Sequence, residues 1–326
     1  MGHITRLRWI VRFAAFALLL YGGFALAGLD AATRLAGLRQ TSAPVAAPAG
    51  RVKPVPGRPS ASQVVLPATV CIYQRQGLCR GCSLYFVSDL LTWQPPLERF
   101  GPYLLLLLLA MLLAGRLWCG WVCPLGLVSD VLTRLRVAVG LRRLRLSARA
   151  RDGLVWAKYT LLVLALGVAA LASLPGLAEA RISLMDPFCR VCPARIFTPF
   201  FTLDDLCWTD LSTSTASVFT VLGLLAFGLF FLGLAIRRFW CRLCPVGGLS
   251  ALFNRTGLVS LVKDGSRCVR CGACERVCPL DVRRVREAEH GVVTSYECHL
   301  CLRCVEACPE PGCLRFHWLG RKVTGS

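Results

Sequence analysis

The chain has 326 residues, 55% of them hydrophobic and 17% charged, with a formal net charge of +20 and a mean hydropathy of +0.57. Its apolar residues come in blocks and not in periodic stripes, which excludes an ordinary soluble domain and points to a membrane protein. The positive charge suggests nucleic acid at first sight, but its placement excludes that partner. The segment 116–152 carries eight Arg against two acids, whereas 175–215 carries three Arg against five acids. Short loops rich in Lys and Arg stay in the cytoplasm.

A membrane span needs about 20 mostly apolar residues. In chain order the candidates are Trp9–Leu29, Tyr103–Leu117, Leu154–Leu174 and Ala216–Ile236, the second being short enough to borrow flanking residues. The charge bias then puts the N-terminus, the 116–152 loop and everything after Ile236 inside. The start also has the basic head, apolar run and Ala-Leu-Ala of a cleavable signal peptide. Against that, the run is long for such a signal, and the repeat below uses it as a membrane helix. A Pro/Ala/Gly-rich stretch after the first span reads as an extended outer linker.

The cysteines follow in an informative order. Cys71, Cys79 and Cys82 precede the second span, and Cys119 and Cys123 follow it; Cys189, Cys192 and Cys207 precede the fourth, and Cys241 and Cys244 follow it. The membrane part thus divides into two similar units, each with an outer C-x2-C and an inner pair followed by proline. Both inner pairs leave spans that run in the same direction, which makes the units a parallel repeat. The spacing differs: "WCGWVCPLG" is C-x3-C and "WCRLCPVGG" is C-x2-C. The segments after the inner pairs look amphipathic and suit the inner membrane surface.

Beyond residue 257 the chain is polar and dense in cysteine. "CVRCGACERVCP" and "CHLCLRCVEACP" are each C-x2-C-x2-C-x3-C-P, the bacterial ferredoxin run for [4Fe–4S] clusters, in which the fourth cysteine ligates the other cluster. Cys268, Cys271, Cys274 and Cys308 would hold one cluster; Cys298, Cys301, Cys304 and Cys278 the other. Zinc sites do not repeat such a crossed eight-cysteine pattern. Cys313 is left over and reads as a small buried residue.

A cubane takes four thiolates and one inner pair supplies two. Two copies at equal depth supply all four, so Cys119, Cys123, Cys241 and Cys244 are expected to converge on a further cluster at the cytoplasmic membrane face. Pro124 and Pro245 would break the helices after the thiolates, and Gly126 and Gly247 would permit a sharp exit. The bland alternatives are unrelated surface thiols or two separate redox pairs. Cys79, Cys82, Cys189 and Cys192 repeat the arithmetic, with Cys71 and Cys207 as alternates. There a cluster competes evenly with disulfide chemistry, which the outer face of such a membrane permits.

The remaining features are simpler. Trp9, Trp118, Trp121, Trp156 and Trp240 lie at span ends, as in an aromatic belt. Arg116, Arg237, Arg238 and Arg242 read as surface anchors, with docking of a quinone or an acidic partner as the sharper alternative. His3, His290, His299 and His317 all lie outside the spans, which excludes a transmembrane bis-histidine haem in this chain alone. No dinucleotide fingerprint and no nucleophile–base arrangement stands out.

"WCGWVCPLG", "FWCRLCPVGG" and the two ferredoxin runs together resemble the membrane polyferredoxins of the NapH/NosR type, over roughly Tyr103 to Phe316. The resemblance implies an inner-membrane protein that passes electrons from quinol or cytoplasmic donors towards an outward-facing metalloenzyme, or supports that enzyme's maturation. The chain departs from the pattern in its shorter second inner motif and its additional cysteines, including "DPFCRVCPARIF"; no flavin-attachment domain of the NosR kind is present.

The expected fold is an α-helical membrane protein with four transmembrane helices as two parallel repeats and a C-terminal α+β dicluster ferredoxin domain. Residues 1–29 form the first transmembrane helix, 30–70 the linker, 71–102 an outer cysteine segment, 103–256 the membrane domain and 257–326 the cytoplasmic ferredoxin domain. The expected function is iron–sulfur electron transfer between cytoplasmic donors or quinone and an outward-facing enzyme. A maturation or regulatory factor and a transmembrane thiol reductant are the alternatives. Membrane lipid and redox proteins are the expected partners, and both termini are expected in the cytoplasm of a bacterial inner-membrane protein.

Overall fold

A computed structural model describes residues 2–17, 73–74, 78–79, 82–94, 97–144, 146–177, 184, 187–194, 196–197, 214–255 and 258–325. Residues 18–29 of the first expected span, the linker to residue 70, Cys71 and Cys207 lie outside them. Helix α1 covers residues 3–17. A two-stranded ribbon (β1, Tyr73–Gln74; β2, Leu78–Cys79) leads to α2 (Ser83–Trp93) and α3 (Leu97–Ala114). Then come α4 (Leu117–Trp121), α5 (Pro124–Ala138), α6 (Ala148–Leu171), α7 (Pro187–Val191), α8 (Ser214–Phe230), α9 (Phe239–Leu243) and α10 (Pro245–Leu252).

Helix α6 starts where Ser147 caps it, its side chain accepting from the Ala150 amide at 3.2 Å. Leu, Ala and Val then carry it for 24 residues. Its buried positions, Lys158, Leu162, Ala165 and Ala169, recur at helical spacing and form one stripe. Its other face leaves Leu161, Val163 and Leu164 exposed. On α8, Val218, Val221 and Leu225 do the same. Among the described residues two helices are long and apolar enough to cross a membrane, Ala148–Leu171 and Ser217–Leu234, and Leu104–Ala114 is a shorter apolar helix. Exposed apolar faces of this kind suit lipid, where only small residues such as Ala165 and Ala169 let a neighbouring helix approach closely.

The C-terminal part is built on a four-stranded antiparallel sheet, ordered β4-β3-β5-β6, of Gly291–Val292, Val259–Lys263, Leu314–Trp318 and Arg321–Gly325. Strands β3 and β5 pair from Val259 with Trp318 to Lys263 with Leu314, and β5–β6 carries an irregularity at Phe316/His317. Three short helices, α11 (Ala273–Val277), α12 (Arg284–Glu287) and α13 (Arg303–Glu306), cover one side. Between them lies a core of Val259, Leu261, Val285, Val293, Leu300, Leu302, Val305, Cys313, Leu314 and Phe316. The segment after the second inner pair therefore does not lie along a membrane surface. It ends as a central strand, because Val259, Leu261 and Phe316 need a common core.

Candidate functional site

The two ferredoxin runs adopt one conformation twice. Arg270 and Gly272 have φ of 54° and 72°, and Leu300 and Leu302 have 47° and 57°. Each pair of left-handed residues curls its loop round a common centre and turns an amide onto the first cysteine: the Leu300 amide lies 3.4 Å from the Cys298 Sγ, and the Arg270 amide bonds the Cys268 sulfur. The Val282 amide meets the Cys278 Sγ at 3.4 Å. Amides aimed at sulfur suit thiolates that carry cluster charge.

Two cavities gather the ferredoxin thiols, and Cys274 lines both. One, of about 140 Å³, is lined by Cys268, Cys271, Cys274 and Cys308, together with Cys313. The other, of about 30 Å³, is lined by Cys274, Cys278, Cys298, Cys301 and Cys304. Cys308 has crossed to the first set and Cys278 to the second. Among the described residues no three His, Cys, Asp or Glu side chains converge as ligands of one metal ion. A cubane instead spreads its four thiolates over four irons, and thiols surrounding a cavity fit that donor set. Cys313 is the small buried residue expected, 2% exposed in the core and at the edge of the first cavity.

The inner pairs also repeat in three dimensions. Cys119 lies on α4 and Cys123 caps α5; Cys241 lies on α9 and Cys244 caps α10. The capping cysteines have nearly the same backbone, φ −57°, ψ 122° for Cys123 and φ −62°, ψ 115° for Cys244. Pro124 and Pro245 each begin the next helix at its first turn, where a missing amide is harmless. The extra residue of the first motif is absorbed in one turn: the Cys123 amide reaches back five residues to the Trp118 carbonyl (3.0 Å), and the Cys244 amide four to Trp240 (2.9 Å). Neither capping cysteine makes a side-chain cap hydrogen bond. Gly126 and Gly247 lie inside their helices, not at a sharp exit; a Cβ would stand 3.1 Å from the Cys119 carbonyl at Gly126 and 3.0 Å from the Arg116 guanidinium at Gly247. Cys123 lies within electrostatic reach of Cys119, Cys241 and Cys244. Burial and this crowding push its thiol well above the usual value, so bound iron rather than pH would deprotonate it.

Beneath these turns lies a charged floor that differs from the expectation of surface anchors. Arg116, Arg238 and Lys158 are fully buried, and so are Arg8 and Arg12 of α1. Arg116 donates to the Tyr296 carbonyl and to Glu297, both at 3.0 Å, and Lys158 also binds Glu297. Arg238 and Arg303 bind Asp130 at 3.0 and 2.9 Å, and Arg12 binds it as well. Burial would push the Asp130 carboxyl up, but Arg238, Arg303 and Arg12 outweigh it and hold it well below the usual carboxylate range. Arg242 donates to the Leu280 carbonyl and to Asp281, and Arg237 to the Arg276 carbonyl. Anchors became floor because the ferredoxin domain covers them. Of the tryptophans at span ends, Trp9 and Trp240 are buried and Trp156 is exposed.

At the centre of the floor sits His299, the residue after Cys298. Its Nε2 lies 2.8 Å from Arg116 and its Nδ1 2.9 Å from Arg238. Burial, then Arg116 and Arg238, hold its ring well below the usual histidine value. Gly120, between Cys119 and Cys123, lies so close that any Cβ would collide with the His299 carbonyl. The Trp121 indole donates to the Leu300 carbonyl at 3.0 Å, and Asn254 Nδ2 to the carbonyls of Ser295 and Cys298 at 2.6 and 2.9 Å. Residue-by-residue reading missed His299, Asp130 and Lys158. One signal was present: Arg116 and Arg238 each stand three residues before the first cysteine of their motif.

Two of the additional cysteines, Cys82 and Cys192, pack beside the inner pairs. Cys82 packs with Leu162, Ala165 and Val246, against which Cys244 also lies. Cys192 packs with Cys123 and Cys244 against the cluster containing Leu125, Ala194 and Trp240. The structure brings these two thiols to the inner set, not to an opposite face, because α2 and α7 enter the bundle instead of ending on its rim. Cys189 is half-buried on α7, and Cys79 belongs to β2.

The description "4Fe-4S binding domain" matches residues 103–143 and 218–263, and "4Fe-4S dicluster domain" matches 260–309. An uncharacterised protein of Methanocaldococcus jannaschii is 25% identical over 64% of this chain and 74% of its own length. The ferredoxin-type protein NapH of Escherichia coli is 30% identical over 61% of each. The methylamine utilization ferredoxin-type protein MauN of Methylobacillus flagellatus is 31% identical over 52% of this chain. The chain spans 61% and 50% of the lengths of those last two. No solved structure matches. With 4Fe-4S binding domain matches over both inner motifs and both ferredoxin runs, the chain is similar to the ferredoxin-type proteins NapH and MauN, a likeness that supports a NapH-type polyferredoxin.

Proposed function

We propose that this chain is a membrane-bound electron carrier in which a dicluster ferredoxin domain exchanges electrons with a third [4Fe–4S] cluster held by Cys119, Cys123, Cys241 and Cys244. One observation carries the reading. The Cys298–Cys304 loop is seated on both cysteine-bearing turns at once, touching Gly120 and Trp121 of one repeat and Arg238 of the other. The cluster of Cys298, Cys301, Cys304 and Cys278 is then the neighbour of the membrane cluster. That of Cys268, Cys271, Cys274 and Cys308 faces outward, where Cys271 is exposed, and serves as the port for a soluble partner. Bound clusters supply one-electron oxidation and reduction; the residues described here hold them, exclude water and set the surrounding charge.

The cations favour this occupancy. Among the described residues, the ion pairs of Arg12, Arg116, Arg238, Arg303 and Lys158 run to two acids, Asp130 and Glu297, and Arg8 donates to the Cys301 carbonyl. Arg8 Nε and Nη2, Arg12 Nε and Arg116 Nε are buried without a hydrogen-bond partner. Unpaired buried charge is costly, and anionic clusters at Cys119, Cys241 and Cys301 would offset it.

The topology proposed is four spans with residues 257–326 and both termini in the cytoplasm of a bacterial inner membrane. It is supported by the basic 116–152 loop and by α1, whose Thr5 bonds Glu306 and whose Arg8 donates to the Cys301 carbonyl at 3.0 Å. Membrane lipid, a quinone and an outward-facing redox enzyme or another membrane subunit are the proposed partners. The thiol-reductant alternative is disfavoured by Cys82, which is 5% exposed. Quinol oxidation by the purified protein with an artificial acceptor separates a carrier from a maturation factor.

The direct test is iron content with electron paramagnetic resonance on the anaerobic full-length protein. The Cys119→Ser/Cys241→Ser variant is expected to lose about four irons per chain and one resonance, keeping the coupled signal of the ferredoxin pair. Unchanged iron would sink the reading.

A further inference from the structure

A second gathering of arginines lies beside the Asp130 floor, and electron transfer as proposed above makes no use of it. Arg136 stands in the last turn of α5, Arg143 in the loop that follows and Arg151 in the first turn of α6. Arg237 and Arg242 come from the other repeat, just before α9 and within it. The loop reaches that repeat through the Leu144 amide, which donates to the Ala235 carbonyl at 3.1 Å. Four of these arginines meet one edge of the ferredoxin domain. Arg143 and Arg242 pair with the Asp281 carboxylate, the latter at 2.7 Å. Arg151 donates to the Asp281 carbonyl and Arg237 to the Arg276 carbonyl, each at 3.2 Å. Arg136 completes the group, within electrostatic reach of Arg237.

The charges here do not balance. Among the described residues the ion pairs of these five arginines run to one acid, Asp281. Arg136 is 4% exposed, and its Nε and Nη1 are buried without a hydrogen-bond partner. The Nε atoms of Arg143, Arg151, Arg237 and Arg242 are buried and unpartnered as well. Burial, then Arg143 and Arg136, hold the Arg237 guanidinium below the usual arginine value. Arginine nevertheless stays protonated in proteins, and buried unpaired cations are costly. An anion with several oxygens offsets them best, because the guanidinium fork matches two oxygens of one phosphate.

The surroundings select the source of that phosphate. Val137, Val139, Leu141 and Leu144, at the end of α5 and just beyond it, are each more than half exposed. Apolar side chains grouped in this way mark a contact surface. A free phosphate would gain nothing from them, whereas acyl chains would cover them. Basic sites on the cytoplasmic side of membrane helices take anionic lipid headgroups.

We propose that Arg136, Arg143 and Arg237 bind the phosphate of an anionic phospholipid at the cytoplasmic membrane face, with Val137, Val139, Leu141 and Leu144 against its acyl chains. Arg143, which also pairs with Asp281, links the lipid to the ferredoxin domain. This site depends on the membrane topology read above and on no iron–sulfur cluster, so iron content is its independent control.

The experiment titrates the full-length protein, purified anaerobically in neutral detergent, with phosphatidylglycerol, phosphatidylcholine or inorganic phosphate, and counts bound lipid by native mass spectrometry. Wild type is expected to bind phosphatidylglycerol about tenfold more tightly than phosphatidylcholine, whose choline cation the arginines repel. Arg136→Gln should remove that preference. Arg149→Gln, at an exposed position of the same basic stretch, should keep it, and both should hold iron as wild type does. Equal binding of the two lipids by wild type overturns the site. An equal loss in Arg149→Gln means diffuse surface charge and overturns it too. Displacement of phosphatidylglycerol by inorganic phosphate makes a soluble anion the ligand and overturns the lipid. Should Arg136→Gln fail to accumulate or lose iron, the wild-type titrations decide alone: a preference that phosphate does not displace supports the site, and its absence overturns it.

Discussion

Asp130 and Gly120 show how single residues hold the ferredoxin domain to the membrane turns. Asp130 binds Arg12, Arg238 and Arg303, which come from three separate parts of the chain. Asp130→Asn would leave buried cations uncompensated, and removing one partner of a buried pair costs about 3–5 kcal/mol. A lower melting temperature of the detergent-solubilised protein is the expected result. The pH dependence follows from the depressed carboxyl. Its contribution is fully present above the unfolded value near 3.9 and is lost as pH falls below that; in Asp130→Asn this loss in strong acid should be absent. Gly120→Ala tests the seam itself, because its methyl would meet the His299 carbonyl, a backbone atom that cannot rotate away. Protease accessibility of the ferredoxin domain should rise in this variant while its two clusters stay bound.

Single elements explain two oddities of the pattern. The C-x3-C and C-x2-C spacings are unequal, but one longer turn at Cys123 brings both motifs to the same cap. In the ferredoxin runs, Leu302 takes the left-handed conformation that glycine takes at Gly272. A non-glycine residue there bears roughly 1–2 kcal/mol of strain, whereas burying a leucine contributes about 1.5–3 kcal/mol. Packing wins at Leu302, which is 5% exposed in the core. Leu302→Gly should therefore be no more destabilising than Leu302→Ala, reversing the usual order in which glycine costs about 0.5–1 kcal/mol more. Rates of iron release to a chelator in rising denaturant compare the two. The cysteine runs themselves were legible in the sequence because a cubane demands thiolates at fixed short spacing. His299 was not, since nothing beside Cys298 in sequence announces Arg116 and Arg238, which come from separate repeats.

At the scale of the molecule, the charged floor ties three remote regions into one electrostatic unit: α1, the inner turns and the second ferredoxin loop. Arg116 lies within electrostatic reach of Cys119 and Cys241. Neutralising it should make reduction of the membrane cluster harder: in Arg116→Gln a tenfold change in the one-electron equilibrium would lower the midpoint by about 59 mV, read by redox titration under magnetic resonance. An equal shift in both ferredoxin clusters would instead mean a general loosening.

Composition, the paired cysteine–proline motifs and the crossed ferredoxin runs by themselves pointed to an iron–sulfur protein with helices long and apolar enough to cross a membrane, because apolar length and thiolate spacing are local quantities. They also made the duplication visible, since each half repeats the same short string. Which faces meet was decided only in three dimensions. Basic residues near a span end look alike in sequence whether they face water or a docked domain, and the seating of the ferredoxin domain turned Arg116 and Arg238 towards His299 and Arg242 towards Leu280. A cysteine pair between two spans likewise gives no sign of its depth; only the packing of α2 on α6 and of α7 on α8 carries Cys82 and Cys192 to the inner set. Depth follows from how helices pack together, and no single stretch of sequence contains that.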